Sequence, residues 1–181
     1  MKKVILYIAM SLDGYIADKQ GGVSWLVGEN MDIQPSSYDE FIKTVDTVIM
    51  GYNSYNQIAN ELSPDNWPYE GMMTYVMTNR HINARKGIDF TDESIVDLLS
   101  KIRDKSTNEN KDIWLCGGSD LANQFIEKDL VDRYHITIIP TILGSGIRLF
   151  NRFDQTLLLK HISNESINGM VDIIYERRNN G

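Results

Sequence analysis

The strongest constraint on the fold is a short apolar strand that runs directly into two glycines and a helix. The apolar run Ile113–Cys116 has the length of a strand buried on both faces, and Ser119 can begin a helix after the turn. Gly117 and Gly118 lack the Cβ atoms that would keep a ligand away from the main chain. A helix that starts there directs free N–H groups and a partial positive charge at the turn. The pattern predicts a junction that suits a phosphate group, although purely structural turns use the same glycines.

A second junction of the same kind follows an earlier strand. Val48–Met50 predicts a short buried strand that ends at Gly51, and Asn53 and Ser54 are polar residues that can open a helix. When helices connect parallel strands, the carboxyl ends of those strands meet at one edge of the sheet, where open α/β sheets bind nucleotides. The two junctions together therefore predict a nucleotide-binding edge.

The strand expected over Met72–Thr78 runs into a polar segment, Thr78, Asn79 and Arg80. The planar guanidinium group of arginine matches the oxygens of a phosphate. An arginine taken singly is more often only solvated, so this interpretation depends on the neighbouring glycine junctions. We expect Arg80 to bind a terminal phosphate of the nucleotide.

The first apolar run continues into a loop that is itself partly apolar. Lys3–Met10 predicts a central strand, and the loop Ser11–Asp18 after it contains a turn at Asp13 and Gly14. Such a loop can be a lid over a pocket, or it can simply pack its own hydrophobic residues. The sequence leaves both alternatives open.

The other elements complete an α/β pattern. A helix is expected over Tyr38–Val45, with caps at residues 35–37, and another from Ile95 to Ile102 after the capping residues 92–94. Residues 106–111 form a polar connection into the glycine strand, and a long strand is expected over Val131–Ile139.

The chain is expected to end in two strands with no helix between them. They lie near Thr156–Ile162 and over Met170–Glu176, joined by a polar connection, Ser163–Gly169. The prediction is one α/β domain over residues 1–181. It has three layers, with helices on both faces of a mixed, mostly parallel sheet whose C-terminal edge is antiparallel.

Composition and charge exclude several classes of function. The chain has 181 residues, 42% of them hydrophobic, which is enough for one sizeable core. Its net charge of −7 and lack of a basic cluster argue against a nucleic-acid partner. The single cysteine, Cys116, lies in an apolar strand and is expected to be an inert core thiol. No apolar run approaches membrane-spanning length, so we expect no membrane partner and a cytoplasmic location.

Five separate motifs follow one another along the chain. They are Ser11–Ala17, Val48–Gly51, Gly117–Ala122, Leu130–Arg133 and Pro140–Gly146. In this order they resemble the motifs of the dihydrofolate-reductase-like superfamily. Within it the chain is most similar to the reductase domain of the bifunctional riboflavin-biosynthesis deaminase/reductase, and the resemblance spans about Val4 to Glu176. The zinc-deaminase signature, which requires two cysteines, is absent from this sequence, so we expect the reductase part alone and not the bifunctional enzyme.

The resemblance implies an NADPH-dependent reductase whose cofactor lies across the carboxyl edge of the sheet. By matched position, the pyrophosphate would contact Gly117, Gly118, Ser119 and Asp120, and the second helix start would contribute Gly51, Asn53 and Ser54. The adenosine ribose and its 2′-phosphate would contact Thr78, Asn79 and Arg80, and the nicotinamide would lie between Ala9 and Ile16. No metal is implied.

The candidate catalytic residues are Asp13, which matches the acidic position of the family's Ser-x-Asp-Gly loop, and Glu40 on the first helix. Asp13 and Phe41 are candidates for substrate binding, because a phenyl ring can stack on a flat heterocycle. The simpler alternatives are that Glu40 is only solvated and that Asp13 only forms a turn. Folate-reducing members carry a pterin-binding carboxylate at a position matched here by Ser37, which argues against folate.

Two functions therefore remain open. The first is reduction of a small flat heterocycle, similar to a pterin or a ribosylamino-pyrimidine. The second is a non-catalytic nucleotide-binding or oligomeric domain that keeps the fold; a flavin enzyme is less favoured, since no motif calls for flavin. The segment Leu130–Phe150 suggests a homodimer through a sheet-edge or sheet-face contact.

Overall fold

The computed structural model describes residues 1–30, 33, 37–105 and 111–178. The predicted caps Pro35 and Ser36, and the polar connection over residues 106–110, lie outside the described residues. The helices are α1 (Ser37–Ile42), α2 (Tyr52–Gln57), which continues into a π-helical segment (Ile58–Leu62), α3 (Ile95–Asp104) and α4 (Ser119–Glu127). The strands are β1 (Val4–Ser11), β2 (Tyr15–Ala17), β3 (Val45–Gly51), β4 (Met73–Met77), β5 (Ile88–Thr91), β6 (Asp112–Gly117), β7 (Arg133–Ile139), β8 (Ile147–Arg148), β9 (Leu159–Ile167) and β10 (Met170–Arg177).

The main sheet is mixed and mostly parallel. In the described part of the chain it has eight strands in the order β5-β4-β3-β6-β1-β7-β10-β9. The strands from β5 to β7 are parallel, while β10 pairs antiparallel with β7 and β9 antiparallel with β10. This confirms the predicted sheet with its antiparallel C-terminal edge. β2 and β8 form a small separate antiparallel pair.

Helices cover both faces of the sheet, as predicted. On one face, Leu98 of α3 and Phe125 of α4 share a core cluster with Leu6 of β1. On the other face, Phe41 of α1 and Tyr55 of α2 pack with the neighbouring β1 side chains. Successive residues of β1 point to opposite faces, so this one strand supplies both cores.

Helix α3 agrees closely with the prediction, whereas α1 is shorter than predicted. Ser94 caps α3, since its side chain accepts a hydrogen bond from the Asp97 N–H at 3.2 Å. The helix expected over residues 38–45 ends at Ile42, and Thr44 N–H donates to the Phe41 carbonyl at 2.9 Å in a closing turn. Val45 instead begins β3, because its main chain pairs with Asp112 of β6.

The predicted polar connection Ser163–Gly169 is mostly strand. β9 extends to Ile167, and only Asn168 and Gly169, both with positive φ, form the turn into β10. A two-residue turn with two positive φ angles joins antiparallel strands without a longer loop. The polar residues are tolerated because β9 is an edge strand whose side chains are almost all exposed.

The position of β7 restricts the predicted homodimer. β7 lies inside the sheet, between β1 and β10, so both of its main-chain edges are already paired. The alternative of a sheet-edge contact made by β7 itself is therefore wrong.

None of the described helices has the length and apolar character that crossing a bilayer requires.

Candidate functional site

The two glycine junctions lie side by side at the carboxyl edge of the sheet. β3 and β6 are neighbouring parallel strands, and Met50 pairs with Gly117 near their carboxyl ends. A Cβ atom added to Gly118 would lie 3.3 Å from Ser54 Oγ, and one added to Gly51 would lie 3.8 Å from the Gly118 nitrogen. The two turns are thus close neighbours, as the sequence predicted.

Helices α2 and α4 leave this edge on opposite faces of the sheet. Tyr55 of α2 belongs to one core cluster and Phe125 of α4 to the other. Each helix follows a glycine, which has no side chain to bind the N–H groups of the first turn. The edge of the sheet between these two helix starts, which we call the crevice, therefore has two helix N-termini, each with a partial positive charge that favours an anion.

The turn before α4 has a backbone suited to glycine. Gly117 has φ of +118°, and a Cβ atom there would lie 3.3 Å from Ile8 Cδ1. The peptide bond between Gly117 and Gly118 is cis. Because both residues are glycines and have no side chain, a ligand can approach the main chain at the start of α4.

Ser119 and Asp120 begin α4 but present different groups. The Ser119 hydroxyl is buried and donates to the Arg148 carbonyl at 2.5 Å, which ties β8 to the helix start. Asn123 strengthens the same contact by donating to the carbonyls of Ser119 and Leu149. Asp120 is exposed, and its carboxylate would repel a diphosphate. Only main-chain groups of these two residues therefore suit the predicted phosphate contact.

Arg80 lies beside the start of α2. Its guanidinium carbon is 4.4 Å from the centroid of the Tyr52 ring, and Tyr52 is the first residue of α2. The Arg80 N–H donates to the Thr78 hydroxyl at 3.1 Å, which shapes the turn after β4. Arg80 and Asn79 are exposed. A cation at this end of the crevice remains accessible to an anionic ligand.

Asp13 connects two loops at the same edge of the sheet. Its carboxylate accepts hydrogen bonds from Ser11 Oγ at 2.6 Å and from the N–H groups of Leu143 and Gly144 at 3.1 and 2.7 Å. The Ser11 hydrogen bond is the largest cause that lowers the pKa of Asp13 below its ordinary value, and the Gly144 and Leu143 N–H groups add to it. Asp13 is thus a charged acceptor at neutral pH and holds the loop after β1 against the loop after β7.

A cavity of about 280 Å³ lies against β1 and β7 on the face that carries α1. Ala9, predicted to flank the nicotinamide, is part of its wall, whereas Ile16 packs towards the core on the other face. The lining residues are Tyr7, Ala9, Leu26, Val27, Gly28, Asn30, Ile33, Thr137, Ile139 and Met170. Among these described residues there is no lysine or arginine.

Asn168, in the turn between β9 and β10, holds one wall of this cavity. Its side chain accepts from the Asn30 N–H at 2.7 Å and donates to the carbonyls of Asn30 and Ile33. The Asn168 carbonyl also accepts from the Glu29 N–H at 3.0 Å. The segment that includes Leu26 and Val27 is therefore fastened to the C-terminal hairpin.

Sequence analysis missed a buried polar cluster beneath the cavity. Thr137 Oγ1 donates to Asp172 Oδ1, and His135 Nε2 lies 3.8 Å from Asp172 Oδ2. Burial by itself would raise the pKa of Asp172, but the His135, Ser37 and Thr137 side chains lower it by a larger amount. The pKa of Asp172 therefore lies below its ordinary value. The only signal in the sequence was an aspartate inside an apolar strand, Met170–Tyr175.

The structure gives no support to the predicted roles of Glu40 and Phe41. Phe41 is a core residue whose ring is stacked on Tyr7, with centroids 4.2 Å apart, so it has no free face for a substrate. The Glu40 side chain is 75% exposed and pairs with Lys43 at 2.7 Å. Because α1 is short and turns its Phe41 side to the sheet, the Glu40 carboxylate points to solvent.

Two further groups bear on the chemistry. Burial raises the pKa of the Cys116 thiol to about 12, which makes it a poor nucleophile at neutral pH. Among the described residues, no group of three or more His, Cys, Asp or Glu side chains is arranged to hold a metal ion.

Comparison with known proteins agrees with this architecture. The model of the RibD C-terminal domain matches residues 2–171. The uncharacterized protein YwjB of Bacillus subtilis is 33% identical over 177 residues, which cover 97% of this chain and 98% of YwjB.

Solved structures show the same fold. A protein from Shewanella sp. PV-4, assigned by name to riboflavin biosynthesis, superposes with a TM-score of 0.84 at 28% identity, covering 97% of this chain and 99% of that one. The deaminase/5-amino-6-(5-phosphoribosylamino)uracil reductase of Thermotoga maritima superposes with a TM-score of 0.71 at 15% identity. That match covers 98% of this chain but only 57% of the bifunctional protein.

Proposed function

We propose that this chain, which belongs to the RibD C-terminal domain family, is an NADPH-dependent reductase of a small flat heterocycle, similar to a pterin or a pyrimidine. The observation that carries the proposal is the crevice between two glycine-capped helix N-termini, with Arg80 at one end. The reductase activity in the name of the Thermotoga maritima protein supports the same reaction class.

The crevice fits the diphosphate of a dinucleotide. A Cβ atom at Gly118 would lie only 3.3 Å from Ser54 Oγ, in the space between the two helix starts. Because glycine lacks that atom, the space stays open for a ligand. Main-chain N–H groups at the starts of α2 and α4 supply donors, while Ser54 and Asn53 supply side-chain polar groups. Arg80, with Thr78 and Asn79, would hold the 2′-phosphate that distinguishes NADPH from NADH.

The nearby cavity would hold the acceptor. When bound, NADPH supplies a hydride, and the protein must orient the acceptor and exclude water. Ala9 has a small side chain that leaves room for a flat ring beside β1, and Leu26 and Val27 also line the cavity. Asp13 enters the proposal as a positioning residue, because its oxygens already accept three hydrogen bonds.

A thermal-shift experiment combined with a turnover assay tests this function. A ligand present at a hundred times its Kd stabilises the folded state by about 2.7 kcal/mol. We expect NADPH to raise the Tm and to be oxidised in the presence of a pterin or pyrimidine substrate. No shift with NADPH or NADH would overturn the proposal. A shift without turnover across a broad panel of heterocycles would favour the non-catalytic binding domain instead.

We also propose a homodimer. The loop after β7 exposes Ile142, which is 71% accessible, and Ile147 and Phe150 are also exposed. With β7 itself paired on both edges, the contact would involve these exposed residues. Light scattering during size-exclusion chromatography should give twice the chain mass of 20.7 kDa, and a mass of one chain would refute the dimer.

A further inference from the structure

The loop that follows β2 is a compact turn built around one carboxylate. Asp18 Oδ1 accepts hydrogen bonds from the N–H groups of Gln20 and Gly22, both at 2.8 Å. In the main chain, the Asp18 N–H donates to the Gly22 carbonyl at 3.0 Å, and the Gly21 N–H donates to the Asp18 carbonyl at 3.1 Å. These hydrogen bonds give residues 18–22, which we call the strap, a defined shape.

The amino end of the strap is fastened firmly on the side of α4. The strap follows β2, which pairs with β8. β8 is joined to the first turn of α4, because Ser119 Oγ donates to the Arg148 carbonyl at 2.5 Å. Asn123 of the same helix donates to the Leu149 carbonyl at 2.8 Å. Both of these α4 side chains are buried, so this attachment is shielded from water and is costly to break.

The other attachment of the strap reaches α2 through one side chain. Gln57 Nε2 donates to the Gly21 carbonyl at 2.8 Å. In the part of the chain that the structure describes, no other hydrogen bond joins α2 to the strap. A single neutral hydrogen bond is readily broken. The strap can therefore detach from α2 while it stays attached on the side of α4.

These two attachments place the strap across the crevice. α4 and α2 leave the sheet on opposite faces, and their starts border the crevice. A segment that is tied to α4 on one side and to α2 on the other passes over the carboxyl edge between them. The gap is narrow, since a Cβ atom at Gly118 would lie 3.3 Å from Ser54 Oγ. A short turn is therefore enough to span it.

Gln57 itself lies outside the nucleotide contacts proposed above. It is the last residue of α2, and Tyr52 is the first. At a rise of about 1.5 Å per residue, Gln57 is roughly 7.5 Å farther along the helix axis than Tyr52. Its effect on a nucleotide would thus come from the position of the strap and not from a direct contact.

We infer that Gln57 is a latch, a positioning residue that holds the strap across the crevice, and that a nucleotide enters and leaves when this hydrogen bond opens. The inference rests on the proposed function, because the nucleotide is the NADPH assigned to the crevice. A latch that is closed in both the free and the bound protein raises the barriers to entry and to exit equally. Loss of the latch should therefore speed association and dissociation by the same factor and leave the Kd unchanged.

Trypsin cleavage after Lys19 measures the opening of the strap without any nucleotide. Lys19 is exposed and lies inside the strap, but a protease binds an extended segment, so the cut requires the strap to detach. Gln57→Met keeps the length of the side chain and removes the amide donor. One neutral hydrogen bond corresponds to a roughly two- to tenfold change in the open population. The initial rate of this cut, identified by mass spectrometry, should rise by such a factor.

Two further variants separate the hydrogen bond from other effects of the substitution. Gln124→Met makes the same change at an exposed position of α4 and should behave like the native chain. Gln57→Lys retains an N–H donor of similar reach, so its strap should open no faster than the native one. An unchanged cleavage rate in Gln57→Met, or an equal rise in Gln57→Lys, would overturn the latch.

Stopped-flow fluorescence of NADPH gives both rate constants for the full chain. Association is followed on mixing, and dissociation is followed by displacement with excess NADP⁺. In Gln57→Met both rate constants should rise by the factor found for cleavage, and the Kd should keep its native value. A rise in the dissociation rate alone would indicate a direct contact with the nucleotide, and unchanged rates would indicate that the strap is no gate. Either result would overturn the inference.

The Tm shift with NADPH, measured on the same samples, separates this inference from the proposed function. A native Tm shift together with unchanged rate constants would overturn only the inference. No Tm shift with NADPH or NADH would overturn the proposed function, and the gating of that nucleotide with it.

Discussion

Replacing Arg80 by alanine should weaken the binding of NADPH far more than that of NADH. Arg80 is exposed at the end of β4, and its guanidinium group stacks on Tyr52 at the start of α2. The free protein should lose little, because an exposed cation–π contact contributes only about 0.5–1 kcal/mol. The larger effect should appear when the 2′-phosphate is present.

The magnitude follows from the strength of a charge-assisted hydrogen bond. Such a bond contributes about 1.5–3 kcal/mol, which corresponds to a roughly ten- to hundredfold weaker Kd for NADPH. At a concentration that is a hundred times the native Kd, NADPH stabilises the native chain by about 2.7 kcal/mol. The same concentration should stabilise the variant by only about 0.4–1.4 kcal/mol. For a chain of this length, the Tm shift should fall from about 5–11 °C to half of that or less.

The assay is a set of thermal unfolding curves with NADPH, with NADH and without nucleotide. Arg85→Ala is the matched control, since it removes the same charge from an exposed arginine. Arg85 lies just before the start of β5, at the amino ends of the parallel strands, away from the two glycine junctions. This substitution should leave both shifts unchanged. Equal losses of the NADPH and NADH shifts in Arg80→Ala would refute the assignment of Arg80 to the 2′-phosphate.

Three further predictions concern the framework of the site. Phe41→Ala should lower the free energy of unfolding by about 3–5 kcal/mol in urea titrations, because the ring is buried and stacked on Tyr7; a loss below 1 kcal/mol would contradict its role in the core. Gly117→Ala should cost about 1–3 kcal/mol in the same assay, since φ is +118° and Ile8 Cδ1 is 3.3 Å from the new Cβ; an unchanged stability would contradict this. Hydrogen bonds from Arg133 and, to a lesser extent, from Lys3 lower the pKa of Glu176 below its ordinary value of 4.5. The stability that the charged Glu176 adds to the fold is therefore complete above about pH 4.5, and it is lost as the pH falls through the lower pKa of the folded state. Glu176→Gln should therefore flatten the fall of Tm in acid, and parallel native and variant profiles would refute that cause.

The position of the two glycine junctions could be predicted from the sequence because its determinants are local. The apolar runs before Gly51 and Gly117 predict strands, and the glycines with the polar residues after them predict turns and helix starts. Parallel strands then bring the junctions to one edge without further information. The structure places these junctions on neighbouring strands, β3 and β6.

Errors in the prediction concerned the end of a short helix and a polar strand. Helix α1 was expected to continue to residue 45, but it has only six residues and ends at Ile42. Packing of Phe41 on Tyr7 leaves Glu40 exposed, in agreement with the alternative that Glu40 is only solvated. The polar strand β9 was taken as a connection, because an exposed edge strand lacks the apolar alternation that marks a half-buried strand.

The sequence by itself determined the α/β class, the mixed sheet and the two glycine junctions at its carboxyl edge, since each follows from hydrophobic pattern and glycine placement within a few residues. Only the tertiary structure decided which residues line the cavity against β1 and β7. Thr137 and Asp172 are 35 residues apart and meet because β7 and β10 pair antiparallel in one specific register. Asn168 in the β9–β10 hairpin fastens Asn30 and Ile33, which line the cavity, for the same reason. Strand pairing and its register depend on the free energy of the whole packed sheet, and no local stretch of sequence contains that information.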